Sequence, residues 1–160
     1  MNQKLIALVA MPNTMLLDIA GPCDVFERAN MLVKEKTGNE IPVYDLRVIS
    51  PDFSDTMTSA SGVKILCDES FEDLTYEKID TLLVAGFSFS LHWESLWPFI
   101  QWLKANARKI RRIGSVCLGA FILAEAGILN GKRVTTHWLH AGKLQSLYPE
   151  LQIDSDPIFI

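Results

Sequence analysis

The 160-residue chain has the length of one globular domain, and its 49% hydrophobic and 21% charged residues exclude intrinsic disorder, collagen-like repeats and a disulfide-stapled miniprotein. Fifteen Lys and Arg against nineteen Asp and Glu leave a formal charge of −4, which excludes the concentrated basic surface that DNA reading requires. Residues 4–11 are nearly all apolar, too short to span a bilayer and not followed by a small-residue cleavage site, so they predict a buried strand without a leader segment. Cys23, Cys67 and Cys117 match neither a zinc knuckle nor a redox pair. Reduced thiols in a cytoplasmic protein are the expectation.

Apolar runs then alternate with amphipathic stretches, the pattern of a parallel sheet covered by helices. Residues 18–36 carry Ile19, Val25, Phe26, Ala29, Leu32 and Val33 near helical spacing, and Thr37-Gly38-Asn39 stops the helix. Residues 43–49 predict a second strand, 56–67 a small hairpin turning near Ser61-Gly62 at a sheet edge, and 79–85 a third strand closing on Gly86. Residues 93–107 predict an amphipathic helix with Leu96, Phe99, Ile100 and Leu103 on one face. Beyond it come a strand at 110–116, a helix at 118–126, a short strand at 133–136 and a helix at 137–147 stopped by Pro149. Leu151-Gln152-Ile153 is strand-like. The chain closes on the apolar Ile158-Phe159-Ile160, and a domain closing so is expected to continue.

Ser115-Val116-Cys117-Leu118-Gly119-Ala120 is the most informative stretch. A strand runs into a small-x-Cys-x-Gly turn and at once into a helix, the thiol counterpart of the strand–nucleophile–helix elbow of hydrolases. A thiol at a helix N-terminus is expected to favour the thiolate; a buried structural Cys is the competing reading. Asp18-Ile19-Ala20-Gly21-Pro22 follows the first strand. In an open α/β sheet the loops after adjacent strands converge on one crevice, so Asp18 would face Cys117 if their strands are neighbours. Asp18 also reads as a helix N-cap with Pro22 in the first turn. Thr135-Thr136-His137-Trp138 stands at another strand-to-helix junction, where His137 either assists the thiol or caps the helix. His137 and His140 lack a carboxylate or Cys at ligand spacing, so no metal is expected, and His92 reads as a surface residue. Gly86-Phe87-Ser88-Phe89-Ser90 offers backbone N–H groups to an anion, with a plain loop as the alternative. Arg108-Lys109-Ile110-Arg111-Arg112 reads as solvated charge complementing a helix dipole.

The combination Asp18-x-x-Gly21-Pro22-x-x-x-Phe26, Gly114-Ser115-Val116-Cys117-x-Gly119-Ala120-Phe121 and Thr135-Thr136-His137-Trp138 resembles the ThiJ/PfpI superfamily of class I glutamine amidotransferase-like domains. Within it the chain is most similar to the N-terminal domains of AraC/XylS-type transcription regulators and to isonitrile hydratases. The resemblance implies a flavodoxin-like α/β three-layer sandwich with a mostly parallel sheet, a homodimer, no cofactor, and a site pairing Cys117 with Asp18. Peptidase members place His directly after the Cys and isonitrile hydratases Thr, where this chain has Leu118; enzyme members carry two glycines where it has Gly86-Phe87. Each departure removes a polar element, and losing one oxyanion donor typically costs ~2.7–4 kcal/mol in barrier.

The expectation is therefore one ThiJ/PfpI-like domain over residues 1–160, cut short at its C-terminus, that senses a small-molecule effector and dimerises within an AraC-type regulator. Cys117 and Asp18 form its centre, and Gly86, Phe87, Leu118 and His137 line the ligand crevice. DNA would be met only through a C-terminal helix-turn-helix domain not present here, in the cytoplasm and away from any membrane. An enzyme is the less favoured reading: an isonitrile hydratase-like lyase or amide hydrolase with Cys117 as nucleophile and Asp18 as general acid/base. Redox sensing through Cys117 is a third.

Overall fold

The computed structural model describes residues 3–88 and 93–160; the surface position expected for His92 and the Phe89-Ser90 part of the loop lie outside them. Five parallel strands form the central sheet: β1 (Lys4–Val9), β2 (Tyr44–Ser50), β5 (Glu69–Ser70), β6 (Ile79–Val84) and β7 (Arg112–Ser115), in the order β5-β2-β1-β6-β7. Between β2 and β5 the antiparallel hairpin β3 (Thr56–Thr58) and β4 (Lys64–Leu66) forms a sheet of its own, turning through Gly62 at φ +82°. The hairpin expected at the sheet edge is thus detached from it, and β5, too short to show a period, takes that edge.

Helices cover both faces. The central β1 is buried from Leu5 to Val9, as a strand covered on both sides must be. Its Leu5, Ala7 and Val9 enter a large core with α2 (Trp97–Asn106) and α3 (Gly119–Glu125), while Ala10 joins a smaller core with Ile19 of α1 (Leu16–Thr37). The apolar face expected at Leu96, Phe99, Ile100 and Leu103 is buried as read. Pro98 stands in the first turn of α2, where no intrahelical N–H is needed. Beyond α3, β8 (Arg133–Val134) pairs in parallel with β9 (Gln152–Ile153), and α4 (Ala141–Leu147) lies between them.

Helix α1 starts two residues earlier than its pattern suggests. Met15 is the N-cap residue, without a side-chain cap, and Asp18 sits in the first turn, so the N-cap reading of Asp18 is corrected. Pro22 consequently lies inside the helix, and with no N–H it leaves the Asp18 carbonyl without its usual helical donor. At the far end Gly38 closes α1 at φ +69°. The basic run is corrected in part: Arg108 and Lys109 close the helical stretch as exposed charge, whereas Arg111 lies just before β7 and Arg112 opens it. Arg111 forms an ion pair with Asp80 of β6, holding its carboxyl down from 3.8 to about 2, and Lys109 lies over the Tyr76 ring.

Candidate functional site around Asp18, Gly86 and Cys117

Because β1, β6 and β7 run parallel, the loops after them emerge at one edge of the sheet. β1 and β7 are not neighbours, contrary to the arrangement supposed for Asp18 and Cys117: β6 lies between them. The two residues meet instead over Gly86, just past the end of β6. Its N–H donates to Asp18 Oδ2 at 3.0 Å. A Cβ at Gly86 would stand 2.6 Å from that oxygen and 3.1 Å from Cys117 Cβ. Only a residue without a side chain lets the carboxyl and the thiol-bearing carbon close in on the same point.

Cys117 has φ +53°, the sharp elbow that its sequence context suggested. A non-glycine residue in this region is strained and persists only where its surroundings hold it. Three contacts do so. The Val116 N–H donates to the Val84 carbonyl at 2.9 Å, the Gly119 N–H to the Val116 carbonyl at 2.9 Å, and the Thr136 hydroxyl to the Cys117 carbonyl at 2.7 Å. Gly119 is equally constrained, since a Cβ there would stand 2.1 Å from the Val84 oxygen. Thr136 belongs to the Thr-Thr-His stretch noted in the sequence, but its grip on the elbow carbonyl has no sequence pattern of its own.

Cys117 is half-buried, so the thiol is not sealed into the core. Its pKa is raised, first by burial and then by the Asp18 charge, with the Leu118 N–H opposing. The favoured thiolate expected from the helix N-terminus is therefore corrected: desolvation and a neighbouring carboxylate outweigh the amide. Asp18 is raised too, by burial, against the Gly86 N–H and the His137 charge. The Asp18 charge thus opposes ionisation of the thiol, while burial opposes that of Asp18. Cys23 and Cys67 are free, half-buried thiols whose pKa values burial also raises, to about 11 for Cys67.

The other residues named from sequence divide. His137 is exposed, caps the turn before α4 by accepting the Leu139 N–H on Nδ1 at 3.3 Å, and stacks on Trp138. Of the two roles expected of it, capping is the one a hydrogen bond realises. Leu118 and Phe87 are buried in the large core, so their side chains pack there and do not face a ligand. The Gly86 N–H, a candidate for holding an anion, is taken by Asp18. A cavity of about 880 Å³ runs along β7 past residues 133–138 to the C-terminal residues. Cys117, His137, Ser115 and Thr135 line it, whereas Asp18 and Gly86 do not. Among the described residues no group of three or more His, Cys, Asp or Glu could hold a metal ion. No helix among them is long and apolar enough to cross a membrane.

Residues 4–152 match the DJ-1/PfpI family. The chain belongs to that family. It is 34% identical over 135 residues to an uncharacterized protein in the cpoL 5′ region of Streptomyces lividans, covering 84% of this chain and 87% of that one. It is 27% identical over 150 residues to the HTH-type transcriptional regulator GlxA of Rhizobium meliloti, covering 94% of this chain and 44% of the regulator. With the isonitrile hydratase of Pseudomonas putida it shares 29% over 145 residues, covering 89% of this chain and 56% of the hydratase. Its fold is that of an AraC family transcriptional regulator from Pseudomonas putida, at TM-score 0.72 and 19% identity, covering 94% of this chain and 76% of the other. The chain thus spans about half or less of the length of GlxA and little more than half of the hydratase. The curated relatives it matches include HTH-type transcriptional regulators.

Proposed function

We propose that this DJ-1/PfpI chain is the sensing domain of an AraC-type transcription regulator. It takes a small nitrogenous metabolite beside Cys117 and Asp18, works in the cytoplasm and acts as a homodimer. DNA contact belongs to a separate helix-turn-helix domain outside this chain, which fits the chain's charge of −4. The observation that carries the reading is the chemistry of the centre. Cys117 and Asp18 close in on Gly86 together, yet burial and the Asp18 charge raise the pKa of the thiol, and the residue after the Cys is a core-packed Leu118 with no hydroxyl or imidazole to offer. That arrangement suits recognition by an un-ionised thiol beside a carboxyl better than nucleophilic attack.

A thermal-shift screen with small amines, amides and amino-acid derivatives tests this. A ligand that binds only the folded state stabilises it by mass action, about 2.7 kcal/mol at a hundred times Kd. The expected result is at least one compound that raises Tm by several degrees in the native chain and much less in Asp18→Asn. Absence of any stabilising compound, together with hydration of an isonitrile that is lost in Cys117→Ala, would overturn the sensor in favour of the enzyme. The nearness of Asp18 to Cys117 is what keeps this hydratase reading second.

A further inference from the structure

Two thiols outside the candidate site converge from distant parts of the chain. Cys23 lies in α1, one helical turn past Ile19, and Cys67 directly follows β4. Both pack against the same small core of Ala10, Ile19, Met57 and Ala85. Met57 of β3 joins Cys67 to that core, since its N–H donates to the Cys67 thiol. Ile19 joins Cys23 to it, because residues four apart share one face of a helix. Neither thiol is sealed in, for both are half-buried. Cys117 packs against the other, larger core.

We propose that Cys23 and Cys67 are a redox site of their own, closing to an intramolecular disulfide when the chain meets a peroxide. One thiol, as its thiolate, attacks the peroxide: an S–O bond forms, the O–O bond breaks, and the departing hydroxide takes up the thiol's proton as water. The second thiol then attacks that sulfur. The S–S bond forms, the S–O bond breaks, and the hydroxide leaves with the second proton as another water. Two thiols thus give up two electrons and one peroxide becomes two waters. The product is uncharged, which suits a place where burial and the Asp68 carboxylate resist both thiolates. The same surroundings slow the first attack, so closure answers sustained oxidant. The bond fastens α1 to the hairpin of β3 and β4. That hairpin already grips the loop between β1 and α1: the Asn13 N–H donates to the Thr58 carbonyl at 3.0 Å, and the Ala60 N–H to the Thr14 carbonyl at 2.8 Å. Asp18 stands in the first turn of α1, so oxidation stiffens the segment that carries it. The inference rests on the packing of the smaller core and is independent of the sensor reading.

A peptide map of the full native chain, reduced, desalted and then held with a small excess of hydrogen peroxide at neutral pH, decides the matter. Trypsin places the three cysteines in separate peptides, residues 5–28, 65–78 and 113–132. The expected product joins 5–28 to 65–78 in protein that runs at single-chain mass on a denaturing, non-reducing gel. It is two hydrogens lighter than the two peptides together, is undone by dithiothreitol, and leaves 113–132 outside the link. A bond that closes a long loop constrains the unfolded chain, so the linked protein should melt about 5–15 °C above its reduced form. Cys23→Ser and Cys67→Ser, treated alike, should show neither the link nor the rise. No joined peptide, a link that runs between chains, a link to 113–132, or a closed bond without the rise each overturns the proposal.

Discussion

Burial and the Asp18 charge favour the protonated Cys117 thiol, burial raises the pKa of Asp18 in its turn, and both effects can be titrated. The charge on Asp18 is the second cause of the raised thiol, after burial. Replacing Asp18 with Asn removes that charge while keeping a side-chain oxygen for the Gly86 N–H. Alkylation of Cys117 by iodoacetamide at neutral pH should then run severalfold faster, with its pH profile displaced downward. Melting should report the same coupling. Folding raises the Asp18 pKa above its ordinary value of 3.8, so the native state binds that proton more tightly than the unfolded chain. The stability this confers is complete below that value and is lost as pH rises through the folded pKa. Asp18→Asn should therefore have the higher Tm at pH 7, with the gap closing by pH 3. The pairing of these two residues was legible in the sequence through the elbow around Cys117 and the Asp18-x-x-Gly21-Pro22 turn. The misplacement of Phe87 and Leu118 has a simple cause: an apolar residue beside a functional turn is drawn to the nearest core, and position alone does not say which way it points.

Between elements, one side chain binds α1 to β2. Asn30, 7% exposed, accepts the Tyr44 N–H on Oδ1 and donates Nδ2 to the Tyr44 carbonyl, each at 2.9 Å. Both partners are backbone groups at the first residue of β2, so Asn30 fixes where that strand begins. Asn30→Ala leaves both without their partner and should cost about 1–3 kcal/mol, read as a lower urea midpoint with unchanged slope. Nothing in the sequence marks this role, because a polar residue amid helical spacing reads as surface. The strands were legible where their burial is two-sided: β1 and β6 each announce themselves as an apolar run. The early start of α1 was hidden because Leu16 and Leu17 are apolar yet exposed, against the pattern that usually locates a helix. The order of the sheet stayed open in the sequence for another reason. Parallel neighbours are set by crossover connections, which leave no local trace in the strands themselves.

At the scale of the molecule, the alternation of apolar runs with amphipathic stretches pointed to the right fold class, and the Cys and Thr-Thr-His motifs to the family. They could not show that Gly86, at the end of an intervening strand, is the floor on which the centre rests. Asp18 and Gly86 are 68 positions apart in the chain, and Cys117 comes from a third strand end farther on. Contacts of such long range close only after the intervening loops have been ordered. The sulfur is consequently a built-in clock for the assembly of the sheet's middle. During refolding from urea, pulse labelling at neutral pH should mark it fast until β1, β6 and β7 have all docked, and partial shielding, seen as the slower native rate, should appear with the last kinetic phase. Shielding that precedes that phase would mean that the turn organises itself without its acidic neighbour.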